Sequence, residues 1–303
     1  MSSTIATDGR PAERRDECRI RIAAAGDIHY GERAVAAFAG LAGRVDLVLL
    51  AGDLTTHGEP EQAAILADAV RDLGIPVLTV LGNHDWHANR AGEVAAVLEE
   101  AGIVVMQRSH HVLEVCGAEL GVVGTKGFVG GFAGNHIPDF GEPLLRKVYA
   151  EGMAEVHALD EGLREIALCP FRIVLLHYSP SSETLEGERR DIWAFLGTDR
   201  LAAPILEHNP DLVLHGHAHA GTFEGRVGEV PVYNVSVPVM GEDFWIFEMT
   251  GTPPTAPSKV PAWAWPWRTR SGSCSTIGTA RRSVPRKAQI SRRSPSSVSD
   301  VGA

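Results

Sequence analysis

Residues 19–29 read RIRIAAAGDIH, residues 46–53 read DLVLLAGD and residues 76–85 read PVLTVLGNHD. Each run is largely apolar and ends in a glycine followed at once by side chains that bind protons or metals: Gly26-Asp27-Ile28-His29, Gly52-Asp53 and Gly82-Asn83-His84-Asp85. Helical patterns beginning near Arg33 and Pro60 separate the runs, so the segment from Arg19 to Gly82 reads strand, helix, strand, helix, strand. The strands are expected at Ile20–Ala25, Asp46–Ala51 and Pro76–Leu81. Ligands bind open α/β sheets outside the carboxyl ends of their strands, so three separate pieces of chain are expected to deliver polar side chains to one place.

Working outward, a helix is expected at Arg90–Ala101, a short strand at Ile103–Met106 and a hairpin pairing Val112–Val115 with Leu120–Val123. The glycine-rich stretch Gly124–Gly134 reads as a flexible or substrate-contacting loop. An amphipathic helix from about Glu142 to Ile166 precedes the strand Phe171–Leu176, which ends at His177. The pattern then repeats: a helix at Leu201–Glu207, a strand at Asp211–Leu214, and the sequence His215-Gly216-His217-Ala218-His219 at its end. Val230–Val237 and Phe244–Glu248 are expected to close the fold near Thr250. The domain plan is therefore a flexible amino terminus (1–18), one catalytic domain (19–250) and a Pro/Ser/Arg-rich tail (251–303) expected to be disordered.

The 303 residues carry a net charge of −10, unevenly spread. Residues 259–303 hold nine Lys/Arg and one acid, Asp300, which leaves a body of −18 and a tail of +8. An acidic body disfavours an extended nucleic-acid groove and points to small anionic substrates; only the basic tail, with its Trp263–Trp267 cluster, offers a docking segment for a polyanion or another protein. The break in composition there also fits a shifted reading frame. No apolar run approaches the length of a membrane span and no secretory h-region is present, so a cytoplasmic location is expected. Cys18, Cys116, Cys169 and Cys274 lie far apart without a C-x-x-C pair and are expected to be reduced thiols. Oligomeric state is not legible in the sequence.

Divalent ions that activate water for phosphate chemistry need hard oxygen donors together with imidazole, and a carboxylate is suited to bridging two of them. The chain supplies D-x-H at Asp27/His29, G-D at Asp53, G-N-H-D at Asn83–Asp85, a strand-end His177 and G-H-x-H at His217/His219. In content and order these five motifs, spread over Arg19 to Glu248, resemble the calcineurin-like metallophosphoesterases. The resemblance implies two facing mixed β-sheets flanked by helices, a four-layer sandwich. It implies two divalent ions (manganese, iron or zinc), the first on Asp27, His29 and His219, the second on Asn83, His177 and His217, with Asp53 bridging. It gives His84 the part of a non-ligand histidine that contacts the phosphoryl oxygens or protonates the leaving group, with Asp85 orienting its imidazole. His215 is expected behind the ligands, and His87, His110, His111, His136, His157 and His208 on surfaces or loops.

The protein Ser/Thr phosphatases of that superfamily carry G-D-x-x-D-R-G where this chain reads Gly52-Asp53-Leu54-Thr55-Thr56-His57-Gly58. Their arginine, a natural clamp for a monoester dianion, is replaced by His57. The G-D-L-T-x-x-G form is more similar to the bacterial branch that includes cyclic-nucleotide phosphodiesterases, which points to small phosphodiesters. The competing readings are a phosphomonoesterase, a nuclease or nucleotide pyrophosphatase, and a non-catalytic scaffold; the last conflicts with a full ligand set and His84.

Overall fold

The computed structural model describes residues 18–29, 34–251 and 289–293. In chain order its elements are β1 (Cys18–Ala25), α1 (Ala34–Ala39), β2 (Leu47–Ala51), α2 (Pro60–Val70), β3 (Val77–Val80), α3 (Ala91–Glu100), β4 (Val104–Val105), β5 (Ser109–Val115), β6 (Ala118–Gly124), α4 (Pro143–Glu165), β7 (Phe171–Leu175), α5 (Trp193–Leu196), α6 (Ala202–His208), β8 (Leu212–His215), β9 (Glu224–Val227), β10 (Val230–Asn234), α7 (Val237–Met240), β11 (Trp245–Gly251) and β12 (Gln289–Arg293). They form two six-stranded mixed sheets, ordered β12-β11-β1-β2-β3-β4 and β5-β6-β7-β8-β10-β9. β1 to β4 run parallel, β11 lies antiparallel to β1, and the edge strand β12 lies antiparallel to β11; β6, β7, β8 and β10 run parallel with β5 and β9 antiparallel at the two edges.

Three apolar layers hold these pieces as a helix–sheet–sheet–helix sandwich. Between the sheets, Ile20, Ile22 and Leu49 of one meet Leu120, Phe171 and Leu214 of the other. Phe38, Leu66, Val94 and Leu98 of α1, α2 and α3 cover the outer face of the first sheet. Val156, Leu159 and Leu163 of α4, with Ile205 of α6, cover the second. β2 is buried at every position because it lies between β1 and β3 with packing on both faces, which is why it reads as a continuous apolar run. Pro60 and Pro143 each sit in the first turn of a helix, where a missing N–H is tolerated.

The structure corrects the sequence reading in three places. A strand, β12, lies inside the stretch expected to be disordered. Gln289–Arg293 pairs antiparallel with β11, and Ile290 packs against the inter-sheet core. Its five mixed residues carry little strand signal of their own; the unpaired edge of β11 creates the strand. Cys18 and Cys116 form a disulfide across 98 residues, with Cα atoms 5.9 Å apart, against the expectation of reduced thiols. Sheet packing brings the start of β1 onto the β5–β6 turn, a proximity that spacing cannot reveal. The expected strand to Val237 stops at Asn234, and Pro238 helps to start the short helix α7 instead. The start of the first helix near Arg33, the flexible amino terminus and the Trp263–Trp267 cluster lie outside the described residues.

Candidate metal centre

The carboxyl ends of β1, β2 and β3 meet those of β7 and β8 along one edge of the sandwich. Backbone bonds stitch the loops there, from Asp27 N–H to the Gly52 carbonyl (2.9 Å), His29 N–H to Asp53 (3.2 Å) and Gly216 N–H to His177 (3.1 Å). Four non-glycine residues in these loops are left-handed: Asp27 (φ 56°), His29 (φ 37°), Asp53 (φ 52°) and His217 (φ 71°). Such conformations are uncommon and strained outside glycine, and here each turns a polar side chain inward immediately after a strand. The glycines beside them leave room for carboxylates. A Cβ on Gly82 would lie 2.0 Å from Asp53 Oδ1, and one on Gly216 would lie 2.4 Å from Asp27 Oδ2.

All seven expected ligand side chains come together, and His84 with them. Asp27, Asp53, His177 and His217 present donor atoms within 4.8 Å of one another, as do Asp27, His29 and His219, and His29, Asp53 and His84. Asn83 Oδ1 is 2.8 Å from His177 Nε2. Backbone carbonyls, which can only accept, set the tautomers: His177 Nδ1–H donates to Ala51 (2.8 Å), His29 Nδ1–H to Thr55 (3.1 Å) and His217 Nε2–H to Phe195 (3.1 Å). In the neutral rings the opposite nitrogen then carries a lone pair. For His177 that lone pair faces Asn83 Oδ1 and, at 3.4 Å, Asp53 Oδ1. Asp53 Oδ1 accepts the His84 N–H (2.8 Å), while Oδ2 is buried with no hydrogen-bond partner. Converging acceptors around an orphaned carboxylate oxygen are the electrostatics of a cation site, and the mixed N/O donor set suits a transition-metal dication.

The charge states of these side chains follow from burial and from their neighbours. Asp27 accepts the His217 N–H (2.8 Å) and pairs with His219 Nε2 (2.8 Å). Burial pushes its carboxyl up, but the His219 hydrogen bond and the nearby imidazoles prevail and hold it at about 2. Burial, reinforced by His177, pushes His217 down to about 3, so its imidazole is neutral at physiological pH. The bond to Asp27 raises His219. His215 is fully buried behind the cluster, bonded to the Gly216 carbonyl and Thr184 Oγ1 (both 2.8 Å), and burial pushes it down to about 4.

Asp85 does not orient His84. Its carboxylate accepts from the Leu54, Thr55 and Gly82 N–H groups and the Thr55 hydroxyl, at 2.8–3.3 Å, and so ties the loop after β2 to the loop after β3. His84 Nδ1–H donates to the Thr56 carbonyl instead (2.8 Å). Sequence reasoning could not find the carbonyls of Ala51, Thr55, Thr56 and Phe195, because every residue type carries one. His87, expected on the surface, is exposed but stacks on His84 with ring centroids 4.2 Å apart. His136 and His208 pair with Asp199 and Asp160 away from the cluster.

The model of the calcineurin-like phosphoesterase family matches residues 20–221, two thirds of the chain and all seven candidate ligands. The chain belongs to the calcineurin-like phosphoesterases. The family is one of phosphoester hydrolases, and it implies divalent metal ions. A probable cyclic nucleotide phosphodiesterase of Synechococcus sp. is 46% identical over 54 residues, which are 18% of this chain and 21% of that protein. The phosphopantetheinyl hydrolase of Mycobacterium tuberculosis shares the fold, with TM-score 0.55, 16% identity, 71% of this chain and 88% of that chain covered. A 5′-nucleotidase-like protein of Staphylococcus aureus, solved with alpha-ketoglutarate, matches with TM-score 0.50 and 14% identity over 77% of this chain and 51% of that one. Among the described residues of this calcineurin-like phosphoesterase, no helix is long and apolar enough to cross a membrane.

Proposed function

We propose that this phosphoesterase hydrolyses phosphodiesters of small molecules with two divalent ions, manganese, iron or zinc. The observation that carries the reading is the buried, unpartnered Oδ2 of Asp53 among convergent nitrogen and oxygen donors. Asp27, His29 and His219 would hold one ion and Asn83, His177 and His217 the other, with Asp53 shared. Ions bound there supply polarisation of the phosphoryl group and water acidic enough to attack at neutral pH.

The chain's own residues do the rest. The fully buried His177 and Asp53 keep bulk water from the inner side of the cluster, and backbone carbonyls hold the His29, His177 and His217 imidazoles so that in the neutral ring the opposite nitrogen keeps its lone pair. His84 is partly exposed, anchored through Nδ1 at Thr56, with Nε2 at 3.9 Å from Asp53 Oδ2. That atom would touch a phosphoryl oxygen and, in the imidazolium form, protonate a departing alkoxide. His57, standing where the Ser/Thr phosphatases carry arginine, is exposed, so that position supplies no permanent cation for a dianionic monoester. The short similarity to a probable cyclic nucleotide phosphodiesterase supports the diester preference.

The test compares bis(4-nitrophenyl) phosphate with 4-nitrophenyl phosphate, using chelator-stripped protein with manganese restored. Metal-dependent diester cleavage lost in Asp53→Ala, with His84→Ala reduced in kcat by about 10²–10⁴, is the expected result. Preference for the monoester would replace diesterase by phosphatase; no turnover with any of the three metals would sink the reading.

A further inference from the structure

A cavity of about 550 Å³ opens beside Asn83, within the size range of small-molecule sites. Its walls include Trp86, Met106, Phe128 and Tyr178, with Lys126 and Arg108 as the cations. Trp86 directly follows His84-Asp85 and is 46% exposed, a large ring left open beside a polar cluster. Lys126 is rooted at the metal centre, for its backbone carbonyl accepts the N–H groups of both His177 and Tyr178 at 3.0 Å. Its ammonium lies 4.4 Å from the Phe128 ring centroid, 5.4 Å from Tyr178 and 5.7 Å from Trp86.

The two acids of the same cavity are already engaged. Glu155 accepts from Arg108 Nε (2.9 Å), the Gly127 N–H (3.0 Å) and the Thr125 hydroxyl, and Glu151 pairs with Arg108. They attract Lys126 from a distance, yet among the described residues its ammonium forms no ion pair. A largely buried cation resting on aromatic faces, with the acids bonded elsewhere, can receive an anion from a ligand. The rings offer flat surfaces on which an aromatic group stacks.

We propose that this cavity seats the organic group of the substrate, that it takes a flat aromatic group bearing a negative charge in addition to the scissile phosphate, and that Lys126 selects for that second charge. A nucleotide with more than one phosphate has this chemistry; a simple aryl diester lacks the second charge. The inference rests on the phosphoesterase reading of the adjoining centre.

Two probes separate the parts: adenosine diphosphate ribose, flat and doubly charged, and bis(4-nitrophenyl) phosphate, flat and singly charged. Binding of the first to metal-free protein is read from the fluorescence change that Trp86→Phe removes, and turnover of both is read with manganese restored. Lys126→Met is expected to weaken adenosine diphosphate ribose binding about tenfold and to lower its kcat/KM relative to the aryl diester by a similar factor, through KM, with Lys126→Arg restoring most of both. Equal binding by wild type and Lys126→Met, or an equal loss on both probes, would overturn the proposal. If neither probe is hydrolysed while Lys126-dependent binding persists, the diesterase reading falls and the subsite stands; if hydrolysis occurs without such binding, the subsite falls and the diesterase stands.

Discussion

Asp53→Asn is expected to make the metal-free protein more stable while removing its response to metal. Asp53 is 1% exposed, and its Oδ1 accepts the His84 N–H, a bond that an asparagine oxygen keeps. Its Oδ2 has no hydrogen-bond partner, and the acceptor His177 Nε2 lies 3.4 Å from Oδ1. The amide removes the negative charge of a buried carboxylate whose Oδ2 no hydrogen bond satisfies. An unsatisfied buried polar group costs about 1–3 kcal/mol. At roughly 2–4 °C per kcal/mol for a domain of this size, metal-free Asp53→Asn should melt about 2–12 °C above metal-free wild type. Manganese at a thousand times Kd should add about 4 kcal/mol to the wild type and little to the variant. Thermal unfolding of both proteins, with chelator and with manganese, reads all four states. A metal-free variant melting below metal-free wild type, or an undiminished manganese shift, would refute the view that Asp53 stores a charge for a cation.

Acid should weaken the fold through His215, which burial holds at about 4 against an ordinary 6.5. The unfolded chain binds its extra proton between those values, so this contribution is complete above pH 6.5 and lost as pH falls towards 4, on the order of 3 kcal/mol. His217 adds to that slope, His219 opposes it, and Asp27 acts only below about pH 3.8. Hence the difference between wild type and His215→Gln in urea midpoint against pH is the quantity to measure, and identical slopes would contradict the assignment. Reducing the Cys18–Cys116 bond, which spans 98 residues, should lower stability by about 2–4 kcal/mol; an unmoved urea midpoint would show that the bond carries no such load. Gly82→Ala should displace Asp53 and cut metal affinity by about 10–100-fold, since its Cβ meets Oδ1 at 2.0 Å; calorimetric titration with manganese would detect unchanged affinity. Asp85→Ala frees three loop N–H groups and should destabilise by about 3 kcal/mol or more even without metal, whereas an orienting role would affect turnover alone.

Apolar runs ending in glycine and a polar side chain made β1, β2 and β3 legible, because buried parallel strands must be continuously apolar and their ends must turn sharply. The strand ends at His177 and His217 were legible for the same reason. Asp85 was misread because adjacency to His84 in sequence suggested contact, while the turn at His84–Trp86 points the carboxylate back into the loops. β9, a four-residue edge strand, and the disulfide escaped because their partners are distant in sequence or supplied by a neighbouring strand's edge. Lys126 and Phe128 lay in a stretch recognised only as glycine-rich, and nothing local tied them to Trp86.

The amino-acid sequence by itself determined the strand–helix alternation of the opening segment, which follows from local periodicity, and the five short motifs whose resemblance to the calcineurin-like family implied the sandwich and the seven candidate ligands. Tertiary structure alone decided which ring nitrogen faces inward, which acid is left unpaired, which cysteines meet and where the cavity opens. Those properties depend on backbone carbonyls and on side chains brought together across tens to more than a hundred residues, and a linear pattern carries no record of such distances.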